Sequence, residues 1–177
     1  MTKVLDRLLS QKKAAILERW RLLILDTYPA DGSRFFKQEK DRFANPIGSI
    51  ISAGIESLYD ELIGKMNPDR LSTCLDGIIR VRTVQDFSPS DAIAFIPLLK
   101  RVVREELGDE IKERRLFEEI LKFESRIDKI MLLTLDIYMK CREQIHEIRI
   151  KELKEERDGV LRLLARTNSK DEEPSKE

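Results

Sequence analysis

The chain has 177 residues, of which 33 are basic and 33 acidic, so its formal net charge is zero. A zero balance gives no general attraction to nucleic acid or to an anionic membrane surface. Hydrophobic residues make up 41% of the chain, which has only seven glycines and six prolines. We therefore expect one all-α domain with a hydrophobic core, followed by a tail.

The first helix is predicted over residues 3–27, where apolar residues recur at helical spacing. It is expected to end at Tyr28-Pro29, because the residue before a proline is disfavoured in a helix. A short helix should follow, with three phenylalanines turned inward: Phe35, Phe36 and Phe43.

Two helix starts share one local pattern, an asparagine followed by a proline. Asn45-Pro46 and Asn67-Pro68 each pair a capping side chain with a residue that suits the first helical position. Glycine favours the position just after a helix, so the first of these helices is predicted to end at Gly64.

The stretch from 79 to 100 predicts a junction between two helices. Ser88 is a good capping residue, Pro89 fits the first helical position, and Asp91 approximates a capping box. Pro97 lies inside the helix that begins there and cannot donate to the carbonyl of Ile93, so we expect a kink.

Beyond this junction, Gly108 is expected to break the helical pattern. One long helix, or two helices with a bend, is predicted over residues 111–157, with part of it projecting because it is longer than a small domain is wide. Residues 130–137 are apolar nearly all round and should be buried on several sides. The predicted domain is therefore 1–157, and residues 158–177 form a charged, disordered tail by composition.

The polar residues before the junction leave two interpretations open. Arg82 and Asp86 are four residues apart, a spacing that allows an ion pair on a helix. In the first interpretation Arg82 pairs with Asp86 or Asp91 and only holds two helices together. In the second, Arg80, Arg82 and Asp86 line a pocket for an anion or small molecule.

No catalytic residue, metal ligand or cofactor is predicted. The one histidine, His146, has mostly charged helical neighbours, whereas a metal or haem ligand needs a sheltered position with partners. Glycine-rich phosphate loops and the CxxC, HExxH and GxSxG motifs are missing from the sequence. Cys141 is a candidate for a redox response. The count of two cysteines allows one disulfide, but a pair of reduced, partly buried thiols is the favoured interpretation of Cys74 and Cys141.

Charge and hydropathy lead to expectations about localisation and about nucleic-acid binding. The charged N-terminus does not fit a signal peptide, and the most apolar stretch, residues 130–139, is far shorter than the roughly 20 residues that span a bilayer. We therefore expect a cytoplasmic protein without membrane insertion. We expect no nucleic-acid partner, because acidic neighbours offset the basic residues that could cluster: Arg101, Arg104, Arg114 and Arg115.

Eight phrases carry a family resemblance that covers roughly residues 5–155: KKAAILERW, DTYP, RFANPIG, LYDEL, IRVRTVQDFSPSDAIAF, LLKRVVREEL, FESRID and DIYMKCREQIHEIR. Together they resemble the RsbRD N-terminal domain family, named after a co-antagonist in the bacterial general stress response. The resemblance implies a signal-input module without established catalytic or ligand residues. Related stressosome proteins carry a dimeric, haemless globin-like input domain, so a globin-like bundle is one expected fold and another helical bundle is the alternative.

These patterns lead to two hypotheses about function. The first is a non-enzymatic sensor or adaptor, a stand-alone copy of the family domain that acts through an unknown partner protein. We expect it to be a homodimer, with the first helix and residues 117–148 supplying part of the interface. The second is a small-ligand-binding or redox-responsive protein, in which the junction of Arg80, Arg82 and Asp86 binds an anion or Cys141 reports oxidation.

Overall fold

A computed structural model of the chain describes residues 3–39, 41, 43–85 and 87–171. The regular elements of these residues are all α-helices, which confirms the predicted all-α class with a long C-terminal helix. In chain order they are α1 (Lys3–Gln11), α2 (Lys13–Leu25), α3 (Ala30–Gln38), α4 (Pro46–Ile63), α5 (Pro68–Val84), α6 (Pro89–Ile93), α7 (Phe95–Glu113) and α8 (Phe117–Asp171).

The chain divides into two compact units, Met1–Met139 and Lys140–Glu177. The first contains α1 to α7 and the beginning of α8, and it holds nearly all of the hydrophobic core. In the second, α8 continues to Asp171, and most of the side chains described there are exposed. The expected domain limit at residue 157 and the expected disorder of 158–177 stay predictions.

Long-range hydrogen bonds from aromatic side chains fix how the helices of the first unit pack. Trp20 on α2 is fully buried, its Nε1 donates to the backbone oxygen of Phe95 at 2.7 Å, and its ring stacks on the Phe95 ring. Tyr59 on α4 donates its hydroxyl to the backbone oxygen of Leu9 at 3.0 Å. Because the polar atom of each of these side chains has a hydrogen-bond partner inside the core, burial leaves no donor unsatisfied on either of them.

The predicted helix starts are confirmed by their caps. The side chain of Asn45 accepts from the backbone N–H of Gly48, and that of Asn67 accepts from the N–H groups of Asp69 and Arg70. The end of α4 at Gly64 is confirmed as well. These short-range bonds explain why the local sequence alone located both helices.

The first helix is two helices, which corrects the prediction of one helix over 3–27. Lys12 separates α1 from α2, with φ −95° and ψ 7°. Its ammonium group donates to the backbone oxygen of Glu106 at 2.8 Å and pairs with Glu110 at 3.0 Å. The break therefore falls at the residue whose side chain binds α7. The local sequence pattern does not predict this contact.

The inward orientation predicted for three phenylalanines is wrong for two of them. Phe35 is 48% exposed and Phe43 is 96% exposed. Phe36 is half-buried and meets the ring of Tyr28 edge-on at 5.3 Å. Since α3 covers the bundle with one narrow face, only one of its neighbouring rings reaches the core.

The expected kink near Pro97 takes the form of a break between helices. Ser88 caps α6, which ends at Ile93, and α7 begins at Phe95 after the single residue Ala94. Pro97 then lies in the first turn of α7, where its missing N–H has no helical partner to lose.

The helix break predicted at Gly108 is wrong, because α7 runs through this residue to Glu113. One glycine costs only about 1 kcal/mol relative to alanine, which the surrounding helix-forming residues outweigh. The break falls instead at Arg115, whose φ is 53°. There the N–H of Leu116 donates back to the oxygen of Ile111 at 3.0 Å, as in a Schellman-type helix end.

Gly108 offers a direct test of this helix continuity. A Cβ at Gly108 meets nothing within 4 Å, so Gly108→Ala should raise the free energy of unfolding by about 0.5–1 kcal/mol in urea denaturation. The matched control is Gly54→Ala in α4, where a Cβ would lie 2.7 Å from Cδ1 of Ile78 and should destabilise the protein. A loss of stability in Gly108→Ala would contradict an uninterrupted α7.

Candidate functional site

The candidate site is built around Arg82, which lies in the last turn of α5 and has no exposed surface. Three aromatic rings surround its guanidinium. The Cζ atom lies 4.3 Å from the ring centre of Phe87, 5.3 Å from that of Tyr28 and 5.6 Å from that of Phe95. We call these four residues, with Thr27 and Asp91, the Arg82 cluster.

The hydrogen bonds of Arg82 join three segments of the chain. Its Nη2 donates to Oγ1 of Thr27 at 2.8 Å, just after α2, and to the backbone oxygen of Asp91 at 3.1 Å, in α6. Its Nε and Nη1 are buried without a partner among the described residues, as is the hydroxyl of Tyr28. The cluster thus ties α2, α5 and α6 together while leaving three polar atoms unmatched.

Electrostatically, the site holds a cation in an apolar environment. Burial lowers the pKa of Arg82, and the nearby Tyr28 and Asp91 oppose that shift. Burial also raises the pKa of Tyr28. The two acceptors of Arg82 are a hydroxyl and a backbone carbonyl, and neither carries a full negative charge. Cation–π contacts of about 0.5–2 kcal/mol each offset part of the several kcal/mol that burying a charge costs.

The other predicted site residues do not join Arg82 in the part of the chain that the structure describes. Arg80 is 60% exposed at its side chain, and its Nε pairs with Oδ2 of Asp76 at 2.6 Å. Asp86 lies outside the described residues. Asp91, the other expected partner, contributes its backbone oxygen, while its carboxylate accepts from the hydroxyl of Ser88 at 2.5 Å.

Phe87 connects the cluster to α8, a link that sequence reasoning missed. Its N–H donates to the oxygen of Arg82 at 3.3 Å, and its ring packs edge-on against that of Tyr28 at 5.1 Å. Its own carbonyl accepts from the hydroxyl of Tyr138 at 3.0 Å. The sequence signal that could have pointed to the cluster is Arg82 on the apolar side of its helix, together with aromatic residues at two predicted helix ends.

Neither Cys74 nor Cys141 is in a disulfide. Cys141, the redox candidate, is 5% exposed, which restricts the access of an oxidant. Cys74 is half-buried, its thiol donates to the oxygen of Leu71 at 3.2 Å, and burial raises its pKa. A redox role for Cys141 stays a prediction.

Other candidate chemistries find no further support in the described residues. No group of three metal-ligating side chains comes together there, and His146 is exposed. Within the same residues, no helix is long and apolar enough to span a membrane. Two of the arginines considered for nucleic acid are in ion pairs, Arg101 with Glu105 at 2.7 Å and Arg104 with Glu124 at 2.6 Å.

The family comparison agrees with the predicted resemblance. The model of the RsbT co-antagonist protein rsbRD N-terminal domain matches residues 14–153. The chain belongs to this family. The family is one of signalling domains, and its match includes the whole Arg82 cluster and Tyr138.

One curated relative is a protein of Archaeoglobus fulgidus described as uncharacterized. It is 30% identical over 95 residues, which cover 53% of this chain and 59% of that protein. The chain thus spans about three fifths of this relative's length, and the relative's name states no activity. No solved structure matches the chain significantly, so the globin-like arrangement stays a prediction.

Two arginines on one helix test the structural weight of the cluster. Arg82→Ala leaves a cavity between three rings and removes two hydrogen bonds, so we expect it to lower the free energy of unfolding by about 3–5 kcal/mol. Arg80→Ala removes an exposed ion pair and should cost less than about 0.5 kcal/mol. Equal losses in urea denaturation would contradict the assignment of Arg82 as the central buried contact.

Proposed function

We propose that this chain is a non-enzymatic signal-input and adaptor module of the cytoplasm that passes a stress or metabolic signal to a partner protein. The observation that carries the proposal is membership in the RsbRD N-terminal family, since the match includes most of the chain. The Arg82 cluster supports it, because one buried charge joins three segments, and Phe87, whose ring packs on that charge, accepts a hydrogen bond from Tyr138 of α8.

An exposed apolar face on α8 supports a homodimer. Four large side chains there are 55–62% exposed: Phe117, Leu121, Leu132 and Met139. Their spacings of four, eleven and seven residues are close to whole numbers of turns, so they lie on one face. A second copy that covers this face would also bury the middle of α8 on several sides. α1 contributes less, since Val4 is its large hydrophobic residue left exposed.

Leu132→Glu tests the dimer. A carboxylate in the centre of the apolar face should shift the protein from dimer to monomer at micromolar concentration, as measured by light scattering. Val84→Glu is the control, since Val84 is 72% exposed on α5 and outside this face. A wild-type protein that is already monomeric would sink the proposal of a homodimer.

A second candidate function, sensing of a small anion, is favoured by the unmatched donors of the cluster. Nε and Nη1 of Arg82 and the hydroxyl of Tyr28 all lack partners among the described residues. The free energy cost of burying an ion rises steeply with the ion's net charge. A single guanidinium among aromatic rings therefore suits a monovalent oxyanion better than phosphate or sulfate. The ring of Phe87 covers the guanidinium, so the anion reaches these donors only when that ring moves.

Trp20, the one tryptophan, reports on this site because its ring stacks on Phe95 beside Arg82. Titration with acetate or nitrate at constant ionic strength should give a saturable change in Trp20 fluorescence and a higher melting temperature. Sulfate should give neither effect, and Arg82→Gln should abolish both. A change that is identical in wild type and Arg82→Gln would exclude an anion site at Arg82 while leaving the adaptor proposal intact.

A further inference from the structure

We propose that the part of α8 in the second unit pairs with the same part of a second copy of the chain, and that the two helices run antiparallel. This inference rests on the homodimer of the proposed function. It deepens that function by naming a contact surface in the second unit and the orientation of the second copy on it. It stands on the apolar and charged residues exposed between positions 140 and 162.

The second unit contains a helix without a core of its own. Among residues 140–162 the one buried side chain is Cys141, and nearly all the others are exposed. Five large hydrophobic side chains there are 51–65% exposed: Ile148, Ile150, Leu153, Val160 and Leu161. Tertiary packing of an apolar face supplies most of the stability of a helix in a protein, so this segment needs another helix to cover it.

Four of these five side chains lie on one face of the helix. At 3.6 residues per turn, Ile150, Leu153, Val160 and Leu161 fall within an arc of about 100°, while Ile148 points to the opposite side. We call the four residues the distal face. The positions 150, 153, 157 and 160 follow the alternating three- and four-residue spacing of a coiled coil. The partner that fits this face is therefore another helix.

Exposed charged residues flank the distal face on both edges. With position 150 as the a position of the repeat, Glu147 and Lys154 lie at e positions on one edge. Arg149 and Glu156 lie at g positions on the other edge. Each edge thus carries one acidic and one basic residue, seven positions apart. The order of these charges differs between the edges, and it selects how a second copy can lie.

An antiparallel pair of helices matches every one of these charges. In such a pair, e residues face e residues and g residues face g residues. When the two copies are related by a twofold axis between positions 151 and 152, Arg149 faces Glu156 of the second copy and Glu147 faces Lys154. The twofold symmetry repeats each contact. The distal face is therefore complementary to itself, which identifies the occupant as a second copy.

The same alignment joins the apolar residues at its centre. Ile150 of each copy faces Leu153 of the other, and in the next layer His146 faces Arg157. Since the apolar contact is concentrated at the centre, the edge charges decide the alignment. A shift of one repeat in either direction sets residues of the flanking edges against their own copies, with like charges opposed: Arg149 and Glu147 in one direction, Lys154 and Glu156 in the other.

A parallel pair is disfavoured by the same charges. There a g residue faces the e residue five positions further along, so Arg149 would meet Lys154 of the second copy and Arg142 would meet Glu147. The first contact is repulsive and the second is attractive, so the edges contribute little. Each a residue would face its own copy, which sets Arg157 against Arg157. Charge therefore favours the antiparallel orientation.

Charge reversal at one position separates the two orientations, because its effect has opposite signs in them. Arg149→Glu places a carboxylate opposite Glu156 in the antiparallel pair, but opposite Lys154 in a parallel pair. In sedimentation equilibrium of the full chain at low salt, we expect the dimer dissociation constant of Arg149→Glu to be about 10-fold higher than that of wild type. A dissociation constant lower than that of wild type would exclude the antiparallel pair.

A second variant restores the contact and a third is the control. Glu156→Arg should weaken the dimer like Arg149→Glu, and the double variant Arg149→Glu/Glu156→Arg should return to the wild-type dissociation constant, because the pair forms again with its charges exchanged. Arg162→Glu should have no effect, since Arg162 is exposed on the side of α8 away from the distal face. A double variant as weak as the two single variants would contradict the proposal.

The outcomes separate this inference from the proposed function. A wild-type dimer whose dissociation constant is the same in Arg149→Glu, Glu156→Arg and Arg162→Glu would rule out the pairing through the distal face and leave the homodimer in place. A wild-type protein that stays monomeric would rule out both the pairing and the homodimer. The adaptor role would stand in either case, because it requires a partner protein and no second copy.

Discussion

A guanidinium charge without exposed surface must be stabilised entirely from within the protein, and much of this fold depends on how that is achieved for Arg82. Three rings from separate segments contact the cation, and its two hydrogen bonds reach Thr27, just after α2, and Asp91 in α6. The cluster therefore holds the end of α2, the helix α6 and the connecting residue Phe87 against one another. A helix junction that looks simple in sequence is a point at which three parts of the bundle are joined.

Elsewhere in the first unit, large aromatic side chains also donate one hydrogen bond each to a backbone group that is distant in sequence. Trp20 bonds to Phe95, Tyr59 to Leu9 and Tyr138 to Phe87. Each bond fixes the alignment of two elements far apart in sequence, because a buried donor costs free energy whenever it loses its acceptor. Of these bonds, the one from Tyr138 ends at Phe87, a member of the Arg82 cluster, and so joins the cluster to α8.

The sequence predicted what local chemistry decides. The starts of α4 and α5 follow from Asn45 and Asn67, and the start of α6 from Ser88, because a cap is made by residues within one turn. The partial burial of Arg82 was also predictable from its place beside Leu75, Ile78 and Ile79 on the apolar side of α5. These predictions needed no knowledge of how the helices pack.

The parts that depend on packing were not predictable. Tyr28 precedes Arg82 by more than fifty residues, so nothing local showed that its ring would lie on the guanidinium. The break at Lys12 depends on α7, and the helical state of Gly108 depends on the sum of its neighbours rather than on glycine itself. Exposure of Phe35 and Phe43 likewise depends on how little of α3 meets the bundle.

The measurement that tests the central role of Arg82 most directly is nuclear magnetic resonance of the arginine Nε–H groups in the isotope-labelled protein at neutral pH. The account predicts that the Arg82 Nε–H exchanges slowly with water and has a chemical shift displaced by the adjacent rings, while the exposed Arg80 exchanges fast. An Arg82 signal that exchanges as fast as that of Arg80 would show a solvated guanidinium and would contradict the account.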